Sequence, residues 1–528
     1  MEETGKPNGG SCTQTVDDVI NEIGKSPNIL LLAVATLGMS CSFVGCLCAY
    51  MVVFTGFIPT ENYVCLTKEC QKLQENFTLD SGEIDSKFYD TKTICDSDMI
   101  LGTDYEWDKI SRTTFAVDFD KICNKSQISL LNSLYFVGAT IGLLFGTLTF
   151  EHLGRRKSAL VGGCIVTMGT FLGTFCDGYN FMVLIRLLQG MGNFLAYSGT
   201  YIWILEFVPE QYRILYNTWS MMIWAIGYPM LVCICYFIHK WHFIFLACSI
   251  VIALTYIPVL IMPDSPRLLM SLGKVEEAKI VLMKYSQLAG KPIDLTHVNL
   301  AAGEDASKTN DQQIPMMQRF REIWINKALL LETLVQAYFW FVCCLLFYFL
   351  NYGWSSFGDT PYVNYLFAGL GEAIAYIALA PITAVLGRKK GLIFCLGISC
   401  ACFLLGMIPW AWNDVWSFER LMNLAAIIGV SCAFALAFLY TNELAPTTHR
   451  GLVMSCCSVV ARGAAFVGPF VSDIFGSSTV KLGVNAVLAG TAALITLLLP
   501  ETRKLAIPEK AEDVQVRRKE QGLVQMCS

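Results

Sequence analysis

The sequence predicts an all-α integral membrane protein: twelve transmembrane helices in two six-helix bundles, with a large extracellular loop after the first helix. Three observations predict it. The 528-residue chain is 54% hydrophobic and only 15% charged, it holds twelve apolar runs long enough to cross a bilayer, and motifs recur 237 residues apart in its two halves. Soluble proteins carry about 25% charged residues, so this composition excludes a soluble enzyme. A formal net charge of −5 leaves no basic footprint for a nucleic acid.

The apolar runs fall near 29–55, 126–150, 158–176, 180–206, 214–238, 241–262, 328–352, 362–386, 391–412, 419–442, 451–475 and 480–500. Each approaches the ~20 residues that a spanning helix needs. The first starts too late and runs too long for a cleaved signal peptide, and reads as an uncleaved anchor. Short loops rich in Lys and Arg mark the cytoplasmic side. Two such loops, Gly154-Arg155-Arg156-Lys157 and Gly387-Arg388-Lys389-Lys390, join spans 2/3 and 8/9, so both termini are expected in the cytoplasm. The expected units are a tail at 1–28, a bundle at 29–262, a cytoplasmic loop at 263–327, a second bundle at 328–500 and a tail at 501–528.

That orientation puts 56–125 outside the cell. The segment carries 14 acidic and 8 basic residues, the sequons at Asn76 and Asn124, and four cysteines, Cys65, Cys70, Cys95 and Cys123. A polar extracellular loop of this kind is expected to be glycosylated and to hold two disulfides, for which four cysteines allow three pairings. Most other cysteines lie in apolar runs and read as small packing residues.

The halves repeat. Glu206 precedes Arg213 by seven residues as Glu443 precedes Arg450, and Pro263-Asp264-Ser265-Pro266-Arg267 after span 6 answers Pro500-Glu501-Thr502-Arg503 after span 12. A parallel repeat of six spans is the plan of major facilitator proteins, whose site lies between the halves at the bilayer midplane.

Ionisable groups inside spans are the most informative residues, since each costs on the order of 3 kcal/mol or more at the bilayer centre. Arg462 stands mid-way along span 11 and Glu372 mid-way along span 8. Two readings are open: they receive an anionic and a cationic group of a bound solute, or they pair with each other and hold the bundle. Aromatic faces would hold a quaternary ammonium group, and the candidates are Tyr197, Tyr201 and Trp203 on span 4, Trp219 and Trp224 on span 5, and Trp340, Tyr348 and Tyr352 on span 7. Arg186, near the start of span 4, is expected to snorkel toward the outer interface. The five histidines lack metal-ligand spacing, and the chain lacks a phosphate-binding loop. The tail from Lys504 reads as polar.

Over nearly its full length the chain resembles the solute carrier 22 family of organic cation, carnitine and organic anion transporters. The resemblance rests on the cysteine-bearing loop, Tyr105-Glu106-Trp107-Asp108 within it, Gly154-Arg155-Arg156, Pro263-Asp264-Ser265-Pro266-Arg267, Tyr440-Thr441-Asn442-Glu443-Leu444-Ala445-Pro446-Thr447 and Pro500-Glu501-Thr502. It implies a plasma-membrane transporter working by alternating access, not an enzyme. An ion-pair network of Glu206, Arg213, Glu443, Arg450, Glu151, Arg155, Arg156 and Arg388 would then gate its inner end. Where the family has Asp and Arg ahead of Gly154, this chain has Glu151 and His152, and Ala384 replaces the acid of loop 8/9. Arg462 matches the anion and carnitine members and Tyr376 the carnitine members, so the resemblance implies carnitine-like zwitterions or organic cations as substrates, with sodium as a coupling ion. The alternatives are an organic anion transporter and a transporter-like solute receptor.

Overall fold

The computed structural model describes most of the chain from Thr13 to Glu520. Outside the description lie 1–12, 24–39, 57–62, 66–104 apart from Gln71, 108–112, 209–211, 272, 289–291, 296–298, 302–315, 354–360, 409–414, 447, 475–477, 504–507, 509–510 and 521–528.

A helix occurs in every predicted span. They are α2 (Ser40–Thr55), α4 (Lys125–His152), α5 (Arg155–Leu172), α6 (Tyr179–Leu205), α7 (Arg213–Phe237) and α8 (Trp241–Ile261) in the first half. The second half has α12 (Lys327–Gly353), α13 (Pro361–Leu386), α14 (Arg388–Gly406), α15 (Val415–Leu444), α16 (Arg450–Ile474) and α17 (Ser478–Thr496). Ten of these are long and apolar enough to cross a membrane; the described part of α2 is shorter, and α6 carries Arg186 and Gln189 in its interior. Shorter helices are α1 (Val16–Ile23), α3 (Phe115–Asp118), α9 (Pro266–Ser271), α10 (Val275–Leu288), α11 (Met316–Ile325) and α18 (Ala511–Glu520).

Packing repeats between the halves. In the first, α4 and α5 pack on α6, α2 on α7, and α5 on α8; in the second, α13 and α14 pack on α15, α12 on α16, and α14 on α17. The halves meet along α4 with α16 and α7 with α13. Small residues permit such approach where no hydrophobic force separates helix from lipid. A Cβ on Gly138, Gly142 or Gly190 would collide with the carbonyls of Leu187, Met191 or Tyr135 across the α4–α6 seam.

The two basic loops share one backbone device. Gly154 (φ 80°) and Gly387 (φ 81°) cap α5 and α14 in the left-handed region that other residues avoid. Each thereby turns the chain in place and presents the following arginine at the start of a helix.

The segment expected as a polar loop at 263–327 forms α9, α10 and α11, and β4 (Asn299–Ala301) within it pairs in parallel with β1 (Thr13–Thr15). Tyr285 of α10 donates to the carbonyl of Phe207, 3.3 Å away, tying this segment to the first half. In the large loop, β2 (Tyr63–Cys65) pairs antiparallel with β3 (Tyr105–Trp107). Cys123 is disulfide-bonded, while Cys70, Cys95 and Asn76 lie outside the described residues, as does the Cys65 side chain. Asn124 is exposed directly before α4 and accepts from Ser126 at 2.7 Å.

Candidate functional site

Glu372 is completely buried at the seam between the halves. Its helix, α13, opens on Pro361, whose fixed φ suits a first helical position. Gly369, one turn before Glu372, lets α7 come close: a Cβ there would stand 2.8 Å from Cβ of Tyr228. Tyr228 thus crosses from the first half with its hydroxyl 2.5 Å from Glu372 Oε1 and 2.8 Å from Asn351 Oδ1. Asn351 Nδ2 donates to the same Oε1 at 3.2 Å from α12. Tyr376, one turn further along α13, adjoins the carboxyl.

Around this carboxyl stands an aromatic cluster drawn from both halves. Tyr50 stacks on Tyr228 at 5.2 Å and lies 5.5 Å from Tyr352; Phe54 lies 4.9 Å from Tyr365. The Tyr352 hydroxyl reaches the carbonyl of Ala49 at 3.1 Å. These residues lie toward the ends of α2, α12 and α13 remote from the basic loops, so the halves are closed together there.

Arg462 is held differently. Nη1 folds back one turn onto the Ser458 carbonyl at 2.8 Å and its hydroxyl at 2.5 Å, and the guanidinium lies 4.5 Å from the ring centre of Phe194, on α6 of the other half. A cation over an aromatic face gains roughly 0.5–2 kcal/mol. Nε has no hydrogen-bond partner among the described residues. Arg462 and Glu372 are therefore not paired with each other: neutral groups hold each of them, and opposite charges stand separately at the seam.

The aromatic candidates divide. Tyr348 packs on Phe136 of the other half at 4.4 Å, and Tyr352 belongs to the cluster above. Tyr201 stacks on Tyr197 at 5.9 Å, and Trp219 is half-buried on α7. Trp340 sits inside the second half, donating to Thr441 at 2.9 Å and packed on Phe434 and Phe438. Arg186 departs from the interface placement expected of it. It is fully buried, donates to the carbonyls of Leu131 (3.0 Å) and Cys48 (2.6 Å) and to Gln189 (2.8 Å), and lies over the Tyr135 ring. Three helices supply its acceptors, which makes the interior cheaper than the interface.

At the basic end the repeat becomes chemistry. Arg155 pairs with Glu206 at 3.2 Å, and Arg388 with Glu443 through Nε (3.0 Å) and Nη2 (2.8 Å), one equivalent pair per half. Thr502 donates to the second oxygen of Glu443 at 2.6 Å, and Glu501 caps α14 by accepting from the amides of Arg388 and Lys389. Arg156 bonds the carbonyls of Val259 and Leu260 and lies 3.6 Å from Asp264. Nε and Nη2 of Arg450 are buried without a hydrogen-bond partner among the described residues, and the side chains of Glu151 and Arg213 lie outside the description. Both pairs close within their own half.

Sequence reasoning missed Asn351, Phe194 and Glu332. Asn351 carried a signal, as an amide closing an apolar run; so did Glu332, a carboxylate five residues into span 7. Glu332 is fully buried and receives Arg517 (2.8 Å) and Arg518 (3.4 Å) from α18. The tail expected to be merely polar is thus a docked helix.

Comparison with known proteins agrees with this geometry. Residues 42–358 match the sugar (and other) transporter family, and residues 363–525 match the Major Facilitator Superfamily. Solute carrier family 22 member 15 of Xenopus tropicalis is 26% identical over 74% of this chain and 72% of its own length. Solute carrier family 22 member 2 of Rattus norvegicus is 26% identical over 76% and 72%. The organic cation/carnitine transporter 2 of Homo sapiens is 22% identical over the same shares. Among solved structures, the inward-open xylose transporter XylE of E. coli superposes with a TM-score of 0.59 at 16% identity, covering 92% of this chain and 99% of its own. The chain belongs to the sugar (and other) transporter family of the major facilitator superfamily, and its curated relatives are solute carrier 22 proteins, as its motifs suggested.

Proposed function

We propose that the protein carries carnitine-like zwitterions or organic cations across the plasma membrane by alternating access, with both termini in the cytoplasm. One observation carries the substrate reading: the half-buried Arg462 and the buried Glu372 are of opposite charge, stand at the seam, and are held by neutral partners rather than by each other. A zwitterion offers each of them a counter-charge. Its carboxylate would replace the Phe194 face on Arg462 with charge-assisted hydrogen bonds, which are roughly twice as strong as neutral ones. Its ammonium end would meet Glu372 and the surrounding tyrosines. A relative named for organic cations and carnitine supports this reading.

A zwitterion gains nothing from the membrane potential unless an ion travels with it, whereas a monocation gains about 2.3 kcal/mol per 100 mV. Sodium coupling is the corresponding proposal for the zwitterion, and replacing external sodium in the uptake assay tests it. A second reading, an organic anion substrate, draws on the Arg462 Nε, which has no hydrogen-bond partner among the described residues, while Glu372 is already engaged by two donors.

Radiolabelled uptake of carnitine, tetraethylammonium and an aryl carboxylate, by the wild type and by Arg462→Ala, decides among them. Carnitine uptake that falls about a hundredfold in Arg462→Ala, equivalent to ~2.7 kcal/mol, supports the zwitterion reading. Tetraethylammonium uptake that survives the substitution supports a cation carrier led by Glu372, and loss confined to the aryl carboxylate supports the anion reading.

A further inference from the structure

Helix α11 is a segment that transport chemistry leaves unused. Its ten residues, Met-Met-Gln-Arg-Phe-Arg-Glu-Ile-Trp-Ile, run from Met316 to Ile325 immediately before the membrane-crossing α12. Met317, Phe320 and Trp324 follow helical spacing along one face and are 79%, 42% and 75% exposed, with Ile325 beside them at 66%. The opposite face is fastened down: Ile323 is buried, and Glu322 lies 3.0 Å from Nε2 of the buried His449. Asn326 then ends α11 and caps α12, its Oδ1 accepting from the amides of Ala328 (3.2 Å) and Leu329 (3.3 Å) and from Gln515 of the docked tail helix (3.1 Å). With its inner face anchored and its end capped, α11 presents the same row outward, and four large apolar residues in ten are unfavourable in water.

Two features identify the occupant. The first is continuity with the lipid-facing surface. α11 leads directly into α12, whose outward residue Leu334 is 58% exposed on a helix that crosses the bilayer. The row therefore sits at the level where a spanning helix leaves the membrane, and Trp324 belongs to the residue type enriched at that boundary. The second is charge. Arg321 lies on the exposed face between Met317 and Trp324, Lys327 is exposed at the start of α12, and the single acid of α11, Glu322, is turned inward to His449. An apolar row flanked by exposed cations suits an anionic membrane surface.

We propose that α11 lies in the headgroup boundary of the leaflet at the basic end of the bundle, its apolar row among acyl chains and Arg321 with Lys327 holding an anionic phospholipid headgroup. A second copy of the chain or a soluble partner on this face would be a different answer, and the test separates them.

The full-length chain is reconstituted in nanodiscs of phosphatidylcholine with a minority of phosphatidylserine. It carries Trp324→p-benzoylphenylalanine, with Phe320→p-benzoylphenylalanine as a second probe should the first fold poorly. Glu276→p-benzoylphenylalanine, at a side chain 81% exposed on α10, is the comparison. After irradiation, mass spectrometry should find lipid adducts at 324 and 320 well above those at 276. Phosphatidylserine should be over-represented among them by about fivefold per engaged charge. Arg321→Gln with Lys327→Gln should return the adducts to the bulk lipid ratio. Adducts no more frequent at 324 than at 276, cross-links to protein instead of lipid, or a bulk lipid ratio with Arg321 and Lys327 intact would each overturn the proposal.

Discussion

The hydroxyl of Tyr228 lies 2.5 Å from Oε1 of Glu372, and this contact joins the two six-helix halves. The carboxylate is buried in the bilayer interior, where an unsatisfied charge is costly, and one of its donors belongs to the opposite half. Any motion that parts α7 from α13 must break this bond or move the carboxyl with it.

Tyr228→Phe removes that donor and leaves Glu372 only donors of its own half, Asn351 and Tyr376 among them. A lost partner for a buried polar group costs about 1–3 kcal/mol. The variant should therefore melt several degrees lower in detergent and transport more slowly per surface molecule. An unchanged melting temperature would show that Glu372 is satisfied without Tyr228.

The equivalent pairs at the basic end differ in strength. Glu443 receives two donors from Arg388 and a third from Thr502, whereas Glu206 meets Arg155 at 3.2 Å through one nitrogen, with Ser265 and Arg267 beside it. Glu443→Gln should accordingly impair uptake per surface molecule several-fold more than Glu206→Gln. Surface labelling beside initial rates checks this, and equal losses would contradict the ranking.

Glu332 depends on the tail. Deleting the residues after Arg503 removes both Arg517 and Arg518 and strands a fully buried carboxylate. Breaking a buried pair in this way costs roughly 3–5 kcal/mol, while replacing the remaining charge with an apolar residue recovers much of it. The truncated chain should thus fold poorly, and Glu332→Leu in the same truncation should restore its melting temperature. Failure of that rescue would assign the tail another role.

The contact between α11 and the loop before α16 carries a pH dependence. Burial lowers the His449 imidazole below its usual range, with Glu322 opposing and Arg319 adding to the shift. A histidine held neutral by burial favours the folded state above the ordinary imidazole range, and that contribution is lost as the pH falls through the lowered value. The wild type should lose thermal stability more steeply than His449→Gln on acidification below about pH 6.5. Parallel curves would show that His449 takes up its proton without strain.

Much of this was legible in one dimension because its causes are local. Hydropathy marked each span, since a bilayer-crossing helix must be apolar over its own length. Basic loops marked one end, since Lys and Arg gather in cytoplasmic loops. Arg462 and Glu372 stood out for their cost, a charge in an apolar run.

Partnership was not legible. Whether Arg462 pairs with Glu372 or with Phe194, and whether Trp340 faces the seam or the inside of one half, depends on helix rotation and on the approach that glycines such as Gly369 permit. Arg186 matches an interface anchor by position along its helix, but carbonyls of two other helices hold it inside. Arg517 reads as a solvated tail charge because its partner, Glu332, lies 185 residues away. The sequence by itself determined the twelve helices, their repeat and the two interior charges of opposite sign, since the cost of placing a residue in lipid is paid residue by residue. Only the tertiary structure decided which neutral groups hold those charges apart, since that follows from distances between helices that no local pattern encodes.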